Sequence, residues 1–170
     1  MITNPRRVGK LMLSQMLTGF LLLIAFNPAM ATGTSDYVLR DLDGISHRAS
    51  DYRGKWLVIN FWATWCTPCL TEMPEIQDFY EDNLDRAMVW GVSFEDQDFT
   101  AIRKFVKELG VTYPILGFGQ DPKTGYGTVR VLPTTFVIKP DGLFHHKFEG
   151  PITSEDLAGI LGTDAVDTPE

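Results

Sequence analysis

Seven consecutive residues, Trp56 to Trp62 (WLVINFW), include a single polar side chain, Asn60. A strand with one wet face alternates apolar and polar residues. A run this uniformly apolar, rich in β-branched and aromatic types, must therefore be covered on both faces. A second such run, AMVWGVSF, spans residues 87–94. Between and after the two runs the spacing turns helical. In PCLTEMPEIQDFYEDN (68–83), Met73, Ile76 and Phe79 with Tyr80 fall on one side. In DFTAIRKFVKELG (98–110), Ile102, Phe105, Val106 and Leu109 face inward ahead of a terminating Gly110.

Shorter signals surround this centre. Asp43-Gly44 marks a hairpin turn between two short runs, and SDYRGK reads as one helical turn closed by Gly54. VTYPILGF (111–118) is extended, and GQDPKTGYGT (119–128) is a turn-rich connection with room for one helical turn. TTFVIKPDGLFHHKFEG forms two strands around Pro140-Asp141-Gly142, and Ser154 is placed to cap a last helix, SEDLAGIL. The expected class is α/β: a mixed β-sheet with helices on both faces and an N-terminal β-hairpin.

The ends bear on location. Arg6, Arg7 and Lys10 precede an apolar run from Leu11 to Phe26, and Ala29 and Ala31 follow with small-residue cleavage spacing. That order predicts a secretory signal peptide over 1–31. Ser14, Gln15 and Thr18 interrupt the run, which argues against the competing reading of an uncleaved membrane anchor. The expected organisation is then a flexible start at 32–35, a domain over 36–162 and an acidic tail at 163–170. The signal segment holds three of the 15 basic residues and none of the 22 acidic ones, so the remainder carries a net charge of −10. Such a body is a poor partner for nucleic acid or an anionic membrane.

The chain has two cysteines, Cys66 and Cys69, directly after the first apolar run. They could be a structural staple, part of a metal site, or a redox pair. A staple across so short a loop removes little chain entropy. A zinc site needs four ligands, and His47, His145 and His146 show no ligand spacing. The redox reading uses the position best. Cys66 falls at a helix N-terminus, where unpaired N–H groups favour the thiolate, and Cys69 lies one turn on, able to close upon it. Cys66 would attack and Cys69 resolve. No metal and no prosthetic group is expected.

VINFWATWCTPCLTEMP, followed far downstream by VLPTTFVIKPDG, resembles the thioredoxin superfamily over nearly all of residues 35–162. More narrowly it is similar to the extracytoplasmic reductase branch of TlpA and ResA, kin to the cytochrome c maturation protein CcmG. The resemblance implies a thioredoxin-like sheet and a cis bond at Pro133. It also implies that Leu132, Pro133 and Thr134, with Trp65 and Pro68, form the client-binding surface, and that Glu72 acts as a third active-site residue tuning the thiols. Asn60 stands where cytosolic thioredoxin has an aspartate, in keeping with that branch. Implied partners are disulfide-bearing clients, apocytochrome c among them, and a membrane thiol carrier of the DsbD or CcdA type, with the protein a periplasmic monomer. Two alternatives stay open: a dithiol oxidase of the DsbA type, and a copper-binding chaperone.

Overall fold

A computed structural model describes residues 36–95, 99–117 and 123–163. The expected signal peptide, flexible start and all but the first residue of the acidic tail lie outside them. Among the described residues no helix is long and apolar enough to cross a membrane.

The first apolar run is strand β3, Trp56–Trp62, and the second is β4, Ala87–Ser93. They pair in parallel from Trp56↔Ala87 to Trp62↔Ser93, joined by α1, Thr67–Asp82. Helix α2, Phe99–Glu108, leads from β4 to the parallel strand β5, Ile115–Gly117. On the other flank β3 pairs antiparallel with β8, Thr134–Ile138, and β8 with β9, Phe144–Glu149. The N-terminal hairpin, β1 (Val38–Asp41) and β2 (Ser46–Arg48), attaches antiparallel to β5. The seven-stranded order is β2-β1-β5-β4-β3-β8-β9. Every residue of β3 is buried, Asn60 included, as its composition requires.

The two faces are covered unequally. Both parallel crossovers step in the same direction along the sheet, and right-handedness then places α1 and α2 on one face. Helix α3, Ser154–Thr163, packs there too, against α1. Trp56, Val58 and Trp62 meet this helical layer, whereas Leu57, Ile59 and Phe61 point the other way. The opposite face is covered by a 3₁₀ turn, Ala49–Tyr52, and by residues of the 126–132 segment. Helices do lie on both faces, but the three α-helices among the described residues share one.

One local expectation is sharpened and two need correction. Residues 123–128, read from the sequence as part of a turn-rich connection, form a small hairpin, β6 (Lys123–Thr124) and β7 (Gly127–Thr128), and the rest of that connection, 119–122, lies outside the described residues. Thr124 Oγ1 stabilises the hairpin, accepting from Tyr126 N and donating to Gly127 O. Leu109 is 36% exposed because α2 ends before it. At Gly110 (φ +73°) the backbone reverses, and Val111 N donates to Val106 O while Gly110 N donates to Lys107 O. In this termination Val111 takes the apolar position against the core. Helix α3 is capped by Thr153 rather than Ser154. Asp156 N donates to Thr153 Oγ1 and Thr153 N donates to Asp156 Oδ2, a reciprocal capping pair.

Candidate active site

At the end of β3 the chain turns within four residues into α1. Cys66 N donates to Ala63 O, closing the turn, and Cys66 is the N-cap of the helix. Pro68 sits in the first turn, where its missing N–H costs nothing. Cys66 and Cys69 are joined in a disulfide, with Sγ–Sγ 2.04 Å and Cα–Cα 5.3 Å. Their surroundings differ. Cys69 is fully buried, whereas Cys66 lines a groove of about 490 Å³. Trp65 and Pro68 form one side of the groove with Cys66, and Phe94 and residues 129–132 form the other. Trp65 is 68% exposed at its rim. When the bond is reduced, the helix N-terminus favours a thiolate on Cys66, which is 6% exposed and lines the groove.

The second wall is delivered by β8. Its first residue, Thr134, pairs with Phe61 at the end of β3, so the chain entering β8 arrives beside the cysteines. The Leu132–Pro133 bond is cis. Leu132 lines the groove, while Pro133 and Thr134 are buried behind it. Thr134 Oγ1 donates to Val131 O (2.7 Å), and Pro133 O accepts from Gly150 N (2.9 Å). Thr134 therefore shapes the wall from within.

Glu72 lies one turn beyond Cys69 and is 1% exposed. Its Oε1 accepts from Asn60 Nδ2 (2.7 Å), and its Oε2 accepts from Ile152 N (2.9 Å), ahead of α3. Asn60 Nδ2 also donates to Thr135 Oγ1. Burial pushes the carboxyl up to about 7, against the pull of its two hydrogen bonds. Tyr113, buried in the same layer, is raised by burial and by the charge of Glu72. The structure thus gathers Cys66, Cys69, Glu72, Trp65, Pro68 and Leu132 around one disulfide, with Pro133 and Thr134 supporting it.

Two contributors have no sequence signal. One is the far wall, Phe94 and residues 129–131, whose approach depends on the tertiary path of the chain. The other is Glu95, a buried acid after β4 that accepts hydrogen bonds from Thr64 N and Thr64 Oγ1. The histidines are apart: His47 bonds Asp41 and Tyr52, His145 packs on Trp56 and His146 on Phe148. Among the described residues no group of three or more His, Cys, Asp or Glu side chains could hold a metal ion.

The AhpC/TSA family profile matches residues 31–147. The chain belongs to this family. Within it, the chain is 37% identical over 131 residues to the thiol-disulfide oxidoreductase ResA of Geobacillus kaustophilus, covering 76% of this chain and 75% of that one. Identity to ResA of Bacillus anthracis is 34% over 127 residues, with 74% and 73% covered. Among solved structures, a DsbF homologue from Corynebacterium diphtheriae superposes with TM-score 0.69 at 28% identity, covering 77% of this chain and 85% of its own. The exposed lipoprotein thioredoxin Etrx1 of Streptococcus pneumoniae does so at 0.62 and 28%, covering 76% and 99%. The AhpC/TSA chain has a thioredoxin-like fold, and its Cys66–Cys69 pair is that of a thiol-disulfide oxidoreductase.

Proposed function

We propose that the protein reduces disulfides in client proteins outside the cytoplasm. The observation that carries this reading is the asymmetry of the pair: Cys66 opens on the groove and Cys69 is sealed behind it. In the reduced protein the Cys66 thiolate attacks one sulfur of a client disulfide. A Cys66–client bond forms, the client S–S bond breaks, and the departing sulfur takes a proton. The Cys69 thiol then loses its proton and attacks Cys66. The second client thiol is released, and the pair is left as the disulfide described above. Two electrons pass to the client. Glu72, beside Cys69 and with a proton affinity near neutrality, serves as acceptor for the Cys69 proton.

The client lies along the groove against Trp65, Pro68 and the Leu132–Thr134 segment. Apocytochrome c cysteines, which must be reduced before haem attachment, are the client class that the resemblance favours. A membrane thiol carrier of the DsbD or CcdA type returns the electrons, since an oxidising compartment supplies none. Residues 1–31 direct export to the periplasm and are removed, and residues 36–162 act as a monomeric domain ahead of an acidic tail. Support for export comes from the basic, apolar and small-residue order of the N-terminus.

The test is a covalent trap. A Cys69→Ala variant exposed to periplasmic proteins retains clients on Cys66, released by dithiothreitol, with haem-attachment apoproteins among them. An empty trap overturns the reading. A midpoint potential of about −270 mV marks a reductant, and one of about −120 mV an oxidant.

A further inference from the structure

Behind the motif lies a buried acid that the exchange steps do not use. Glu95 is 6% exposed. Its Oε1 takes both hydrogen bonds from Thr64, the one from the hydroxyl at 2.8 Å. Its Oε2 is buried without a hydrogen-bond partner. Thr64 stands inside the Ala63–Cys66 turn, so its backbone cannot shift without moving Trp65 and Cys66. One residue earlier Phe94 N donates to Trp62 O (2.8 Å), so residues 94 and 95 together grip the start of that turn.

Gripping Thr64 requires only an acceptor. A glutamine would accept the same two hydrogen bonds at its Oε1, and burying an amide costs less than burying a carboxylate. What the acid adds is a formal charge against Thr64, two residues before the attacking cysteine, with one oxygen left without a hydrogen bond. The disulfide carries no charge, but the reduced pair does once Cys66 ionises. A carboxylate nearby opposes that ionisation.

We propose that Glu95 is a positioning residue for the exchange reaction: it holds the Thr64–Cys66 turn through Oε1 and, through its charge, restrains ionisation of the Cys66 thiol. This rests on the exchange function proposed above. Among the described residues, the other titratable or charged groups around the pair are Glu72, one turn beyond Cys69 on α1, Tyr113 in the same buried cluster and Arg130 in the far wall of the groove. Both Glu72 oxygens are hydrogen-bonded, so Glu95 is the carboxylate of this set with an open oxygen.

The test is the rate of Cys66 alkylation by iodoacetamide against pH, in the full chain carrying Cys69→Ala so that a single thiol reacts. Glu95→Gln keeps the acceptor and removes the charge. The profile is expected to move to lower pH, with alkylation below the midpoint faster by about threefold or more. A profile superimposable on that of the Cys69→Ala parent overturns the proposal. Should the glutamine variant not fold, ¹³C-carboxyl NMR of the unaltered protein reads the same link. The Glu95 resonance is then expected to move when the disulfide is reduced at constant pH, and an unmoved resonance overturns it. Neither readout needs a client. An unmoved profile in a protein that traps clients defeats this proposal alone, whereas an empty trap defeats the exchange function on which it rests.

Discussion

Moving a carboxyl from water into the space between α1 and β3 penalises its ionised form, and Glu72 responds with a proton affinity raised from 4.5 to about 7. The native state then holds a proton at Glu72 that the unfolded chain has already released between those two values. Stability consequently falls as pH rises from about 4.5 to about 7, with a full effect of about 3 kcal/mol from this group. Glu72→Gln should flatten that slope, so that the variant gains on the parent between pH 5 and pH 8 in urea denaturation of the oxidised form. Equal slopes would show that Glu72 is not the group responsible. Asn60 is the other side of the same contact. Asn60→Asp replaces a donor with a second carboxylate against Glu72 Oε1. It should cost about 2 kcal/mol or more above pH 7 and less near pH 4, measured the same way. The cysteine pair was legible because local spacing sets it across the start of one helix, and Glu72 was pointed to by the resemblance. Glu95 was not, because its partner Thr64 lies on a different strand end and nothing in the neighbouring residues marks the meeting.

At the scale of elements, legibility followed burial. The runs at β3 and β4 were plain because strands covered on both faces leave little room for polar residues. The β6–β7 hairpin was missed because a two-residue pairing held by one threonine hydroxyl carries no periodicity to read. The cap of α3 was misplaced by one position, since Thr153 and Ser154 are both capping types and only the reciprocal bonds with Asp156 distinguish them. Thr153→Ala should therefore cost about 1 kcal/mol, and Ser154→Ala much less, in thermal unfolding. The centre of the sheet tolerates less. A methyl group at Gly91 would lie 2.6 Å from Ile115 Cδ1 and 2.7 Å from Tyr113 Cε2. Gly91→Ala should destabilise by about 1–3 kcal/mol through overpacking, and an unchanged melting temperature would mean that these side chains yield freely.

For the whole molecule, the sequence pointed to a mixed sheet but not to how its helices are shared out. That distribution depends on strand order, and local pattern is silent about which strand lies beside which. The groove is likewise a product of topology. Trp65 is largely exposed at its rim, so Trp65→Ala should leave stability within about 0.5 kcal/mol. The same change should raise the KM for client disulfides by about fivefold or more if the rim grips substrate, as steady-state kinetics would show. The two jaws of this groove hang from one rung of a ladder, where Phe61 pairs with Thr134. Their gap is thereby fixed by the spacing of paired strands, whatever the length of chain that wanders between them. Connections on that route can grow, shrink or be rewired without retuning the bite.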